Sequence, residues 1–298
     1  MVLSDRHIGR LEALISSLVF TVLICITKLS THTAIEMNAI RGMLSTPMLY
    51  FLAKVLDQDL FVDWNSLLMC TTRATWGMLS IGFMMQGSKL LPISVYSIMS
   101  RLNVFGVFIL NVLLMGGKFS WRPVILALIS FFGVTLVIMP SMYGFNTGSN
   151  KGLEFSWTPT EILGLMMVLG FLTTNGFARN FGSKIAGEVS ITQNVFYLNL
   201  FLGVSHGLLT IWDPVIWKVS EIFNYIAVSA GFVLYQYLFV DSMRREPDPT
   251  IVTLIQSSMI IFSMIADIWM LGAKVNIYNI VGAVIVAGTT VMAVFKKS

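Results

Sequence analysis

The chain has 298 residues, of which 56% are hydrophobic and 11% are charged, and its mean hydropathy is +0.80. Soluble proteins carry roughly 25% charged residues, so this composition excludes a water-soluble globular fold. The net charge of +4 does not indicate a nucleic-acid partner, because the basic residues lie in short connections between apolar runs, where they set membrane orientation.

Apolar runs long enough to cross a bilayer recur along the whole chain. Each crossing needs about 20 apolar residues, so ten crossings nearly exhaust the sequence and leave no soluble domain. Proline and glycine residues mark the ends of the runs. The pattern predicts an all-α membrane protein of ten transmembrane helices. In chain order the predicted spans are Leu11–Lys28, Ile35–Leu56, Ser66–Gly87, Ile93–Met115, Trp121–Met139, Thr160–Phe181, Val189–Ile211, Ile222–Val240, Thr250–Leu271 and Asn276–Phe295.

Two stretches of the chain, residues 92–121 and 249–278, have a similar sequence pattern. Each opens on a proline, runs as a long apolar segment and closes on a small-small-lysine turn. The copies lie about half a chain apart, which indicates one five-span unit used twice. The predicted organisation is a first repeat over 1–140, a connecting loop over 141–159 and a second repeat over 160–298.

The lysines and arginines predict the orientation in the membrane. Ten spans place both termini on one side. That side holds eleven of these residues, Arg10 and Arg179 among them, against five on the other, and Arg73 lies near the first side. Both termini are therefore expected in the cytosol. Because five spans per repeat is an odd number, the second repeat enters the membrane from the opposite side, which makes the repeats inverted. The expected location is an endomembrane, the plasma membrane or a mitochondrial membrane.

The sequence contains no pattern of an enzyme or of a metal site. The nucleophile elbow G-x-S-x-G, the phosphate-binding P-loop and the zinc motif H-E-x-x-H are all absent. Cys25 and Cys70 do not have the spacing of metal ligands or of a disulfide framework. We expect no enzymatic activity, no cofactor and no metal ion.

Charged side chains inside the spans are more informative, because a charge in the bilayer costs at least about 2.5 kcal/mol. Arg101 lies in the fourth span and Asp267 lies near the end of the ninth. Two interpretations stay open for Arg101: it presents a positive charge to an anionic substrate, or it pairs with Asp267. For Arg41 in the second span, an ion pair with Glu36 is the favoured interpretation.

Polar residues that share a helix face favour a cavity. Ser97 and Arg101 lie four residues apart, and Gln256, Ser263 and Asp267 follow one another at intervals of seven and four residues. The alternative role of such side chains is helix packing, worth about 0.6 kcal/mol each on average. The two shared faces favour a substrate cavity over packing. The remaining substrate-binding candidates are Thr253, Asn175, Tyr197 and Tyr235.

Several motifs carry a resemblance to a known family. They are the arginine–glycine of the second span (AIRGMLSTPML), the start of the third (TTRATWGMLSIGFMMQGSKLL), and the paired segments that begin VFGVFILN and IIFSMIAD. In these motifs the chain resembles the drug/metabolite transporter superfamily in its ten-span EamA-domain form. Within that superfamily the chain resembles the eukaryotic solute-carrier branch that includes nucleotide-sugar and triose-phosphate transporters.

The resemblance implies a secondary-active or facilitative carrier of a small organic metabolite that works by alternating access. Members usually carry a glutamate after the turn glycine and often a proline midway along the fourth and ninth spans. Here Gly117 and Ala273 replace the glutamate, and Asn103 and Met259 replace the proline. These departures motivate the alternative of a transport-inactive structural subunit in a larger membrane assembly. The expected partners are membrane lipid and a small-molecule substrate, with either a second copy of the chain or a membrane-complex partner left open.

Overall fold

The computed structural model describes residues 4–29, 32–91, 96, 99–114, 116, 119–142, 158–211, 218–246, 248–271 and 276–295. Throughout these residues the regular structure is helical, with no strand. The helices are α1 (Asp5–Leu29), α2 (Ala34–Val55), α3 (Trp64–Leu90), α4 (Asn103–Leu114), α5 (Trp121–Met142), α6 (Pro159–Ile185), α7 (Ile191–Leu209), α8 (Ile222–Arg245), α9 (Pro249–Gln256), α10 (Met259–Leu271) and α11 (Ile277–Val294). A short 3-10 turn, Val219–Glu221, precedes α8.

Four helices begin at reciprocal capping bonds, which start at Thr33, Thr158, Ser190 and Asn276. Thr33 and Glu36 cap α2, and the Glu36 carboxylate accepts a hydrogen bond from the Thr33 amide at 2.6 Å. Ser190 caps α7, where its amide donates to the Gln193 side chain at 2.9 Å. Such reciprocal bonds satisfy amides that have no partner within the helix, which fixes where each helix starts.

Six segments of the described chain are long and apolar enough to cross a membrane. They are Asp5–Thr27, Trp121–Ile138, Pro159–Ile185, Val219–Arg245, Pro249–Ala266 and Ile277–Val294. Helices α2, α3 and α7 have sufficient length but carry more polar side chains, and α4 is shorter. These features are those of an all-α membrane protein, while the full set of ten spans stays a prediction.

The chain divides into two compact units, and each draws on both halves of the sequence. The first, unit 1, comprises residues 1–78 and 181–247. In it α1 packs against α8, and α2 packs against both α7 and α8. Its core includes Met37 and Ile40 of α2 with Tyr225 and Val228 of α8.

The second unit, unit 2, comprises residues 79–180 and 248–298. Here α11 packs against α5, and α9 packs against α4, α5 and α11. Val134 and Val137 of α5 form a core cluster with Ile260 of α10 and Val286 of α11. The last part of α3 packs against α6 through Phe83, which lies at Gly170.

Glycine permits a very close crossing of helices in each unit. In unit 1 a Cβ at Gly203 of α7 would lie 2.9 Å from the carbonyl carbon of Gly42 in α2. In unit 2 a Cβ at Gly133 of α5 would lie 3.0 Å from the carbonyl oxygen of Gly282 in α11. No side chain fits at those distances, so the backbones meet directly, as in the small-residue interfaces of membrane helices.

The predicted ninth span is not one continuous helix. Helix α9 ends at Gln256 and α10 begins at Met259. Between them the amides of Ser257 and Ser258 bond to carbonyls three residues back, both at 3.0 Å, instead of four. This 3-10 tightening interrupts the α-helix, and the Ser257 hydroxyl approaches the Thr253 carbonyl at 3.5 Å.

A similar break precedes α4. Residues 99–101 are helical, Leu102 is a turn residue, and its amide bonds to the Met99 carbonyl at 3.1 Å. Leu102 lies ten residues after Pro92, and the Ser257–Ser258 break lies eight to nine residues after Pro249. The two similar stretches are therefore interrupted at corresponding places.

Candidate functional site

Arg179 of α6 lies at the centre of a hydrogen-bonded polar cluster within unit 2. Its Nε donates to Oδ1 of Asn175, one turn earlier on the same helix, at 2.6 Å. Its Nη1 donates to Oε1 of Gln256 at 2.5 Å and to Oγ1 of Thr253 at 3.3 Å. The guanidinium group thus joins α6 to α9.

Asn175 extends the cluster to two further segments. Its Nδ2 donates to the Ser80 hydroxyl in α3 at 3.1 Å, and its Oδ1 accepts from Nδ2 of Asn103 in α4 at 3.2 Å. Ser80, Asn103 and Thr253 are buried. We call these six residues the Arg179 network: Ser80, Asn103, Asn175, Arg179, Thr253 and Gln256.

The Arg179 network lies beside both helix breaks of unit 2. Gln256 is the last residue of α9, and Asn103 is the first residue of α4. An arginine held by amide and hydroxyl partners keeps a planar set of N–H donors that matches carboxylate and phosphate groups. This arrangement can therefore recognise a polar or anionic small molecule at a point where the helical backbone is interrupted.

Three of the sequence-predicted residues, Asn175, Thr253 and Gln256, are brought together in this network. Arg101 lies immediately before α4, and its Nε is buried without a hydrogen-bond partner among the described residues. Ser263 is half-buried on α10. Ser97 and the side chain of Asp267 lie outside the described residues, so the Arg101–Asp267 pair and the cavity lined by Ser97 stay predictions.

The two candidate tyrosines lie in unit 1. The Tyr197 hydroxyl donates to the Leu60 carbonyl at 3.2 Å, which ties α7 to the connection between α2 and α3. Tyr235 is buried in an aromatic cluster, with its ring 4.6 Å from that of Phe20 and stacked on Phe239 at 5.9 Å.

Arg41 and Glu36, the other predicted pair, have separate contacts in unit 1. The Arg41 guanidinium carbon lies 3.6 Å from the centre of the Phe232 ring, a cation–π geometry. Glu36 bonds to the Thr33 amide in its capping box and lies 3.6 Å from Nδ1 of His32. None of the ion pairs described for the chain joins Arg41 to Glu36.

Sequence reasoning missed Arg179, the centre of the network. The predicted sixth span ends at Phe181, so Arg179 was assigned to the cytosolic edge, whereas α6 continues to Ile185. The available signal was its position four residues after Asn175, which places both side chains on one helix face. Arg10, also assigned to the cytosolic side, and Arg73, placed near that side, are 1% and 4% exposed.

The described residues contain no group of three or more His, Cys, Asp or Glu side chains that could hold a metal ion. Charged residues at the start of α1 and at the end of α8 form ion pairs with each other. Nε of Arg10 lies 2.7 Å from the Glu246 carboxylate, and Arg245 contacts Asp241, Glu12 and Asp5 at 3.1 to 3.5 Å. These contacts join α1 to the end of α8.

Comparison with known proteins supports the fold and the broad class. A solved crystal structure is similar over 97% of this chain and 99% of its own, with a TM-score of 0.79 and 16% sequence identity. No curated protein sequence matches the chain significantly. The sequence profile of the EamA-like transporter family matches residues 7–139. The matched segment covers fewer than half of the 298 residues, and over it the chain is similar to this transporter family.

Proposed function

We propose that this chain is a secondary-active or facilitative carrier of a small organic metabolite and that it works by alternating access. The similarity of residues 7–139 to a transporter family supports a membrane transporter role. The assignment as a metabolite carrier with alternating access rests on the Arg179 network, because function resides in a site rather than in a fold.

The observation that carries the proposal is the meeting of two interrupted helices at one arginine. Broken backbone within a membrane is tolerated only where it is buried in protein or lines a cavity, and paired interruptions in two repeats mark carrier binding sites. Gln256 and Asn103 flank the two breaks, and both connect to Arg179 directly or through Asn175. Arg179 lies six residues from the end of α6, or about 9 Å along the helix.

The pairing of helices supports inverted repeats. Three packed pairs join helices that correspond in the two halves: α2 with α7, α4 with α9, and α5 with α11. Two further pairs, α1 with α8 and α3 with α6, exchange with each other when the halves are exchanged. These five pairs follow the correspondence expected of two five-helix repeats.

In this proposal the Arg179 network recognises the substrate. The guanidinium group binds an anionic or carbonyl group, and Asn175 with Gln256 hold the guanidinium in position. At Leu102 and at Ser257–Ser258 the helical hydrogen bonds are already interrupted. The segments on either side of each break can therefore move relative to each other without breaking a continuous helix. Arg101 and Ser263 remain additional candidates next to these breaks.

Uptake into sealed liposomes that contain the purified protein tests the proposal. The liposomes are offered a mixture of sugar phosphates, nucleotide sugars, carboxylates and amino acids, and the accumulated compounds are identified by mass spectrometry. Arg179→Gln should reduce uptake roughly 10- to 100-fold, the loss expected for one hydrogen bond to a charged group. Lys184→Gln, which changes an exposed lysine on the same helix, should leave uptake unchanged.

The same experiment separates the carrier from the alternative function. Folded wild-type protein that accumulates none of the offered compounds would favour the structural subunit. Equal uptake by the wild type and Arg179→Gln would support a transporter but would reject the Arg179 network as its substrate-binding site.

A further inference from the structure

Asn103, the first residue of α4, uses one half of its side-chain amide in the Arg179 network and leaves the other half unused. Its Nδ2 donates to Oδ1 of Asn175 at 3.2 Å. Its Oδ1 is buried and accepts no hydrogen bond from any residue that the structure describes. The residue as a whole is 8% exposed. A hydrogen-bond acceptor is therefore buried and unsatisfied beside the network.

The network itself determines which end of the Asn103 amide faces Asn175. An arginine side chain only donates hydrogen bonds, so the Asn175 atom that meets Nε of Arg179 at 2.6 Å is the carbonyl oxygen. The NH2 group of Asn175 then donates to the Ser80 hydroxyl. Because Asn103 approaches the same carbonyl oxygen, it must present its own NH2 group there. Reversing the Asn103 amide would bring two acceptors together, so the unsatisfied atom is the acceptor Oδ1.

Two other buried asparagines have contacts that are typical of helix packing. Asn180 of α6 and Asn199 of α7 each donate to the carbonyl four residues earlier in their own helix, at 2.9 and 2.8 Å. Their Oδ1 atoms also lack partners among the described residues, so an unpartnered oxygen alone does not indicate a ligand. Asn103 differs from both because its amide bonds to Asn175, the residue that holds the Arg179 guanidinium group.

The unsatisfied oxygen belongs to a side chain that lies next to the proposed anion-binding group. One atom, Oδ1 of Asn175, accepts hydrogen bonds from both Arg179 and Asn103. A small molecule whose anionic group binds Arg179 therefore places its neighbouring atoms near Asn103. A buried acceptor without a donor is costly, and a donor on the bound molecule removes that cost.

We propose that Asn103 is a specificity-determining residue of the carrier. Its Oδ1 accepts a hydrogen bond from a hydroxyl or ammonium group that the substrate carries beside the anionic group bound by Arg179. The proposal rests on the carrier function and on the Arg179 network as its site. It favours anions that also carry a hydrogen-bond donor over simple carboxylates, because an anion without a donor leaves the Asn103 oxygen buried and unpaired.

Thermal unfolding of the purified full-length protein in detergent tests this role. The probes are two matched pairs of anions that differ only in hydroxyl groups: succinate with malate, and propyl phosphate with glycerol phosphate. Each is compared with sodium chloride at equal ionic strength, and the rise in Tm gives its affinity for the folded protein. In the wild-type protein the hydroxylated member of at least one pair should bind about 3- to 10-fold more tightly, as expected for one hydrogen bond.

Asn103→Leu removes the acceptor and keeps the approximate volume of the side chain. It should abolish the preference for the hydroxylated anion and leave the affinity for its partner unchanged, whereas loss of a merely structural residue would weaken both equally. Asn199→Leu is the matched control, because Asn199 is buried and has an unpartnered Oδ1 but lies outside the network. That variant should keep the wild-type preference.

The comparison stays decisive if Asn103→Leu does not fold. Asn103→Ala removes the same acceptor without adding atoms and should also lose the preference. Equal binding of both members of each pair to the wild type would overturn the proposal, as would the absence of a specific shift with any probe. A preference that persists in the folded Asn103 variants would overturn it as well.

The binding and uptake experiments fail independently. A hydroxyl preference that depends on Asn103, in a protein that accumulates nothing, would support this recognition site and reject the carrier function. Uptake that requires Arg179 but is unchanged in Asn103→Leu, for hydroxylated and plain anions alike, would support the carrier and reject the role of Asn103.

Discussion

The Arg10–Glu246 pair shows how strongly unit 1 depends on single charged residues. The two side chains are 1% and 3% exposed and meet at 2.7 Å. A buried ion pair adds little stability over apolar side chains of the same size, but removal of one partner leaves a buried charge uncompensated. The pair therefore constrains how α1 docks on the end of α8.

Arg10→Leu is expected to lower the free energy of unfolding by about 3–5 kcal/mol, because the Glu246 carboxylate stays buried and loses its ion pair with Arg10. The double variant Arg10→Leu with Glu246→Leu should recover most of this loss. Denaturant titration in detergent measures both values, with Arg244→Leu as the exposed control. A double variant as unstable as the single one would show that the two charges are not coupled.

Sequence reasoning selected polar residues and helix faces but not the hydrogen bonds that connect them. It selected Asn175, Thr253 and Gln256 as candidates, and all three belong to the Arg179 network. It assigned Arg179 to the cytosolic side and placed Arg73 near that side, because a count of charges along the chain contains no information on burial. Helix α6 continues to Ile185, past the predicted end of the sixth span, so Arg179 lies within the helix and not at its edge.

At the scale of helices, the sequence predicted those helix starts that coincide with the start of an apolar run. Trp121 begins α5 and Ile222 begins α8, as expected from the apolar runs, and Pro249 opens α9 one residue before the predicted start. The break at Ser257–Ser258 was not predicted, because two serines within an apolar run barely change hydropathy. The interruption depends on local hydrogen bonds, which cannot be read from the hydrophobic periodicity of the sequence.

Proline substitution tests the break between α9 and α10. Met259→Pro should be tolerated, since the first position of a helix has no helical hydrogen bond to lose. Ile265→Pro, within α10, should cost about 3 kcal/mol or more because it removes a helical hydrogen bond. The free energies of unfolding of the two variants provide the comparison. Equal destabilisation would indicate one continuous helix through both positions.

The crossing of α2 and α7 makes a separate prediction. A Cβ at Gly42 would overlap the backbone of Gly203, so Gly42→Ala should destabilise the protein by about 1–3 kcal/mol as the helices separate. Gly82→Ala is the matched control, because no atom lies within 4 Å of the added Cβ. That control should be neutral or stabilising by up to about 1 kcal/mol through helix propensity. A neutral Gly42→Ala would rule out the direct backbone contact.

At the scale of the molecule, neither compact unit coincides with a sequence repeat. Unit 1 combines α1 and α2 with α7 and α8, and unit 2 combines α4, α5 and most of α6 with α9 to α11. The repeat boundaries at 140 and 160 stay predictions of the sequence. Units built from both halves are the arrangement expected when two inverted repeats interlock.

The proposed topology has both termini in the cytosol and the 141–159 loop on the opposite side, because the lysine and arginine bias sets the orientation. In a variant with Cys25 and Cys70 replaced by serine, single cysteines at Ser4 and Ser149 should react with a membrane-impermeant reagent from opposite sides. Intact cells and permeabilised cells provide the two conditions. Reaction of both cysteines from one side would contradict the odd number of spans in each repeat.

Counterflow in sealed liposomes tests alternating access most directly. Liposomes that contain the protein are loaded with a compound identified in the uptake screen, diluted, and given a trace of the same compound in labelled form outside. A carrier exchanges the two through one site, so the labelled compound should accumulate transiently above its equilibrium level and then decline. Arg179→Gln should abolish this overshoot while Lys184→Gln preserves it. A monotonic approach to equilibrium, or no entry at all, would contradict the proposed carrier mechanism.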